Sequence, residues 1–226
     1  MNRILTENHE VQILSTGVRL EGNLSIPDGA KGIVLFVHGS GSSRQSPRNH
    51  YVAQTLQEGG LATLLFDLLT PEEEKTDQRT RHLRFDIGLL ARRTAGALEW
   101  LELQPDVKEF KRGLFGSSTG AAAALIAAAE LPEKVDAVVS RGGRPDLAGS
   151  DLSQVKAPTL LIVGAYDKTV ILLNKEALAL MPPETEKQLV LVPGASHLFE
   201  ESGTLEQAAQ LARDWFQKHL IRVSVG

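Results

Sequence analysis

Short apolar runs separated by stretches of helix length constrain this chain more than any other feature. Gly32-Ile-Val-Leu-Phe-Val37 is continuously apolar and too short for a stable helix. A strand buried on both faces of a parallel sheet has this character. Leu61 to Phe66, Gly113 to Phe115, Val135 to Val139, Thr159 to Val163 and Gln188 to Val192 repeat the pattern. Nearer the start, Val18, Leu20, Gly22, Leu24 and Ile26 occupy alternate positions and predict a half-buried strand, closed by a turn at Pro27-Asp-Gly29. Helices are predicted between these runs. One begins at Ser46-Pro47 and stops at Gly59-Gly60; a single long amphipathic helix covers Arg79 to Leu103; an alanine-rich helix runs to about Glu130. Another spans about Val170 to Met181, and the last covers Thr204 to Leu220, with Thr204-x-x-Gln207 read as its capping box. Strands alternating with helices imply parallel crossovers with helices on both faces of the sheet. With no internal repeat or linker-like stretch, a single domain over residues 1–226 is expected.

Composition narrows the function classes. A net charge of -4, with basic residues scattered rather than clustered, disfavours nucleic acid and anionic membrane surfaces as partners. The chain has no cysteine, which excludes disulfides, thiolate metal sites and a cysteine nucleophile, and fits a reducing compartment. Met1 to Glu10 is polar and carries no apolar signal region, so a soluble cytoplasmic protein is expected. No metal-ligand cluster is visible, and no cofactor is expected.

The chemistry concentrates at Gly116-Ser-Ser-Thr-Gly120, a G-x-S-x-G segment that follows a short strand and opens a helix. Such a turn exposes a hydroxyl at the helix N-terminus, where backbone amides favour developing negative charge. Gly116 and Gly120 omit side chains where strand and helix must approach. The spacing selects Ser118 as nucleophile and leaves Ser117 at the variable position. Gly164-Ala-Tyr-Asp167 places a carboxylate beyond the Thr159–Val163 strand, and Pro193-Gly-Ala-Ser-His197 places an imidazole beyond the Gln188–Val192 strand. Asp167 and His197 are the candidate orienting acid and general base; Asp67 and Asp146 are rival acids. The candidate oxyanion hole is the Thr119 amide with a second amide from His38-Gly-Ser-Gly41, Ser40 ahead of Gly41. His38 itself is read as a packed structural histidine.

Taken together, these segments resemble the dienelactone-hydrolase-like branch of the α/β-hydrolase superfamily. The resemblance is carried by His38-Gly-Ser-Gly-Ser-Ser-Arg44 with Ser46-Pro-Arg48, Leu64-Leu-Phe-Asp-Leu-Leu69 and the elbow through Ala123. Ser140-Arg-Gly-Gly-Arg-Pro-Asp146, Leu160 to Gly164 with Asp167, and Gly194-Ala-Ser-His-Leu-Phe199 complete it, so that it spans about Leu20 to Leu220. It implies an α/β-hydrolase fold, a mostly parallel twisted sheet of about seven or eight strands without a large cap, and a triad on Ser118, Asp167 and His197. Dienelactone hydrolases proper are similar in fold but use cysteine, so dienelactone is not the expected substrate. Some similar bacterial hydrolases are joined to phosphoribosyltransferase-like domains, and no such domain is expected in this chain.

The expected activity is hydrolysis of small carboxylic esters through an acyl-serine. Acyl transfer or amide cleavage by the same groups is the enzymatic alternative. A non-catalytic α/β-hydrolase module that binds a ligand or partner is the alternative of a different class. A dinucleotide-binding protein would want a third glycine after Gly39-Ser-Gly41, which the chain lacks. The connection from about Arg141 to Ala157 is too short for a multi-helix cap, so an open site preferring acetyl to butyryl esters is expected. Arg141 and Arg144 begin that connection and are candidate ligands for a substrate carboxylate, and Gly41 is a further candidate substrate-binding residue.

Overall fold

The apolar runs become strands in the computed structural model, which describes residues 6–221. In chain order the elements are β1 (Thr6–Ser15), β2 (Val18–Pro27), β3 (Gly32–Val37), α1 (Pro47–Glu58), β4 (Ala62–Phe66), α2 (Pro71–Thr80) and α3 (Ile87–Leu101). Then come β5 (Lys111–Ser117), α4 (Thr119–Glu130), β6 (Ala137–Arg141), β7 (Thr159–Gly164), α5 (Lys168–Leu180), β8 (Lys187–Val192) and α6 (Thr204–Leu220). All eight strands form one sheet in the order β1-β2-β4-β3-β5-β6-β7-β8. β1 and β2 pair antiparallel and β2 joins β4 antiparallel; every later pairing is parallel.

Alternation within the buried strands explains why both faces need cover. Ile33, Leu35 and Val37 of β3 face a core completed by α3 and α4, whereas Val34 and Phe36 face a second core completed by α1 and α6. Burying a strand on both sides removes solvent as a partner for its polar backbone, and the parallel ladders on each side supply the hydrogen bonds instead.

Two expectations are corrected, and one strand is new. The long helix predicted from Arg79 to Leu103 is two helices, separated at Arg81 (φ 55°) and a 3-10 turn at Leu83–Phe85. The Asp86 side chain caps the second by accepting from the Leu89 N–H at 2.9 Å. Helix α2 was legible in Thr70-Pro71-Glu-Glu73: Thr70 accepts from the Glu73 N–H and Glu73 accepts from the Thr70 N–H. The box read at Thr204 does not form, because Gly203 is the N-cap and the Thr204 hydroxyl donates to Glu201 O at 2.6 Å. Strand β1 was not anticipated; it returns into β2 through Thr16 and Gly17, both at positive φ. Residues 1–5 of the polar opening segment lie outside the described residues.

His38, directly after β3, ties two edges of the future site together. Its Nε2 accepts from the Leu68 N–H at 3.1 Å, so Nδ1 carries the proton and donates to Gly39 O at 3.0 Å. The ring therefore joins the loop after β3 to the segment after β4, as a structural rather than a basic group. Burial pushes its pKa below 6.5, outweighing the attraction of Asp67 and Glu74, and burial shifts His219 in the same direction. The sign follows from proton binding. Below the unfolded pKa the unfolded chain takes up protons that the folded protein refuses, so stability is full above that pH and declines as pH falls. Urea unfolding from about pH 7.5 to about 5 is expected to show a falling midpoint, with a shallower fall in His38→Gln. An identical slope in the variant would contradict the assignment.

Candidate active site

The G-x-S-x-G segment folds as a strand-to-helix elbow. Ser118 caps α4 at φ 50° and ψ -124°, a backbone region that side-chain-bearing residues rarely occupy. The neighbouring glycines explain how the turn closes. A Cβ on Gly120 would lie 2.1 Å from Val37 O and 2.5 Å from His38 O, and one on Gly116 would lie 2.5 Å from the Ala121 Cα. Both contacts are with backbone, which cannot yield. Backbone bonds fix the turn further: the Ser118 N–H donates to Arg141 O at 3.4 Å, and Ser118 O accepts from the Arg144 N–H at 3.0 Å. Ser117 is buried as the last residue of β5, opposite Arg141, while Ser118 is half-buried.

Asp167 follows β7 and heads α5, with Oδ1 accepting from the Val170 N–H at 3.5 Å. Its Oδ2 lies 2.6 Å from His197 Nδ1. A carboxylate only accepts, so Nδ1 carries a proton and Nε2 is the ring nitrogen left free of the carboxylate. The loop that holds His197 is anchored where the Ser196 N–H donates to Glu201 at 3.0 Å. Ser118 and His197 line one cavity of about 860 Å³, together with Ser40, Gly41, Arg48 and Arg141. Among the described residues no hydrogen bond joins Ser118 to His197; such contacts are often long before substrate binds.

The rival acids are committed elsewhere. Asp67 receives the Arg44 N–H and guanidinium, each at 2.7 Å, and Asp146 receives the Arg144 guanidinium on both oxygens, at 2.9 and 2.8 Å. Arg144, a candidate carboxylate ligand, has its guanidinium on Asp146 and is not among the cavity's lining residues, whereas Arg141 is. Ser40 reaches the elbow, where its N–H donates to Thr119 Oγ1 at 2.9 Å. The Thr119 N–H, at the first position of α4, has no intrahelical acceptor. Gly41 lines the cavity with φ 72°.

Arg141 is the unusual group. Only 8% exposed, it lies 5.9 Å from the ring centroids of both Phe115 and Phe199, and its Nη1 is buried without a hydrogen-bond partner. Burial, then repulsion from Arg48, pulls its pKa down to about 10, so it remains a cation at neutral pH. Arg48, which sequence reasoning gave no role, also lines the cavity and pairs with Glu200 at 3.3 Å. Its position beside Pro47, at the end of a loop that follows a strand's carboxyl end, was the available signal. Among the described residues no group of three or more histidines, aspartates and glutamates is placed to hold a metal ion, and no helix is long and apolar enough to cross a membrane.

Comparison with known proteins agrees with this architecture. The sequence profile of the dienelactone hydrolase family matches residues 20–220. The crystal structure of a dienelactone hydrolase from Anabaena variabilis is 62% identical with a TM-score of 0.93, covering 95% of this chain and 99% of that one. The esterase domain of a Rhodothermus marinus protein, 19% identical, shares the fold at TM-score 0.72, covering 94% of this chain and 99% of that one. Two Mycobacterium tuberculosis proteins provisionally named phosphoribosyl transferases are 57% identical over 94% of this chain, which spans 47% of their length. Profile, near-full-length relative and sheet topology point the same way: the chain belongs to the dienelactone hydrolase family, within the α/β-hydrolase fold.

Proposed function

We propose that the protein is a serine hydrolase that cleaves small carboxylic esters through an acyl-serine. The observation carrying this reading is the 2.6 Å contact of His197 Nδ1 with Asp167 Oδ2, on a histidine that shares a cavity with an elbow serine. A serine hydroxyl attacks poorly until a base removes its proton. In this reading His197 Nε2 takes the proton as Ser118 Oγ bonds to the carbonyl carbon. Asp167 holds the ring in the required tautomer and stabilises the imidazolium. The imidazolium then protonates the leaving alcohol, and water, activated by the same nitrogen, releases the acid. Amide cleavage and acyl transfer would share the acyl-enzyme and differ in the group leaving or arriving. The phosphoribosyl transferase name belongs to proteins about twice this length and is not carried over. A cytoplasmic location is part of the proposal, on the absence of cysteine.

Substrate preference follows from size and charge. The connection after β6 holds only a short 3-10 segment, Pro145–Gln154, so no multi-helix cap encloses a long acyl chain there. Acetyl to butyryl esters are the proposed range. The unpartnered Arg141 supports an anionic substituent on the ester, since a guanidinium grips a carboxylate through paired hydrogen bonds.

Two sets of variants test this. Ser118→Ala is expected to lower ester turnover at least about a thousandfold, while Ser117→Ala keeps most of it. The opposite pattern would overturn the register of the motif. Arg141→Met, which preserves packing against Phe115 and Phe199, is expected to raise KM for anionic esters roughly ten- to a hundredfold and leave neutral esters nearly unchanged. Equal effects on both ester classes would remove the anion preference and leave the hydrolase reading intact.

A further inference from the structure

We propose that Thr119 gives the oxyanion two donors, its backbone N–H and its side-chain hydroxyl, and that the Ser40 amide acts through that hydroxyl. This rests on the serine-hydrolase reading of Ser118. The conventional arrangement would use the amide after the nucleophile and a second amide from the loop after β3. That second amide is engaged: the Ser40 N–H donates to Thr119 Oγ1 at 2.9 Å. A backbone N–H has one proton, so while this bond stands a substrate oxygen cannot receive it fully.

The hydroxyl, in contrast, has a proton with no acceptor among the described residues. Thr119 is 5% exposed. Four other buried threonines donate to carbonyls: Thr94 to Leu90 O at 2.9 Å, Thr159 to Ala157 O at 2.9 Å, Thr185 to Val155 O at 2.7 Å and Thr204 to Glu201 O at 2.6 Å; Thr63, away from the cavity, only accepts, from Gln57 at 2.8 Å. Thr94 uses the carbonyl four residues back in its own helix. Thr119 opens α4, and four residues back stands Phe115, in a strand. Among the described residues Thr119 Oγ1 accepts from Ser40 and donates to nothing. Its hydrogen-bond partner Ser40 and its chain neighbour Ser118 both line the cavity, while Thr119 itself is set just behind that lining. A hydroxyl that already accepts from an amide is polarised into a better donor, and the group needs no rearrangement when charge develops.

In the step itself, Ser118 Oγ bonds to the carbonyl carbon while the carbonyl π pair moves onto oxygen. The Thr119 N–H and O–H donate to that oxygen without transferring a proton. The pair returns as the bond to the leaving group breaks, and the leaving alkoxide takes its proton from His197.

The test compares Thr119→Val, Thr119→Ser and wild type in ester turnover, with hydrogen–deuterium exchange of residues 39–46 as an independent readout. The expected result is a kcat loss of about a hundredfold in Thr119→Val with KM within a few-fold, most of the activity retained in Thr119→Ser, and loop exchange unchanged. Undiminished kcat in Thr119→Val would overturn the proposal, because a freed Ser40 amide would then be the donor. A loss accompanied by faster loop exchange would overturn it in favour of a positioning role, and equal losses in both variants would assign the effect to packing. A wild type inert to esters and fluorophosphonates would instead bring down the hydrolase reading beneath it.

Discussion

The close approach of α4 to the end of β3, made through Gly120, is the contact on which the rest of the site depends. With no side chain at Gly120, the helix N-terminus rests on the carbonyls of Val37 and His38. Ser118 is forced into its strained turn by that approach, and its backbone bonds to Arg141 and Arg144 hold it there. A non-glycine residue in such a region costs on the order of 1–3 kcal/mol, which the surrounding packing must offset. The two large cores on either face of the sheet provide that support. The same approach brings Ser40, on the loop after β3, against Thr119 on α4.

Charge pairing sorts the acids and bases around this turn. Asp67 and Asp146 each hold an arginine, which leaves Asp167 as the carboxylate on an imidazole. His38 is excluded as a base by accepting from a backbone amide and by burial. Arg141 is the reverse case, a buried cation whose charge no carboxylate among the described residues answers. A buried charge without a partner is costly, and a substrate anion is the partner the proposed function supplies.

Much of this was legible in the sequence, for identifiable reasons. The doubly buried strands announced themselves because a parallel sheet leaves no polar face to interrupt an apolar run. Ser118, Asp167 and His197 could be named as candidates because each follows its own strand at the sheet's carboxyl edge, where the proposed function uses them. What could not be read were the partners that competing polar groups choose, near in the chain or far. The break at Arg81 lies inside a stretch with helical periodicity, and the Thr204 hydroxyl found a carbonyl instead of an amide. Whether Arg144 or Arg141 would remain unpaired depended on which one met Asp146, and the Ser40 amide was diverted by a hydroxyl 79 residues away. Spacing along the chain does not say which of several possible partners a polar group takes.

In the proposed mechanism Ser118, prepared by His197 and Asp167, becomes covalently bonded to the substrate. Peptide mapping after reaction with a fluorophosphonate tests it most directly. The adduct is expected on the Ser118 oxygen, formed rapidly in the wild type and at least about a hundredfold more slowly in Asp167→Asn, whose amide cannot hold the imidazole in the same tautomer. An adduct on another residue, or equal labelling rates in the two proteins, would contradict the account.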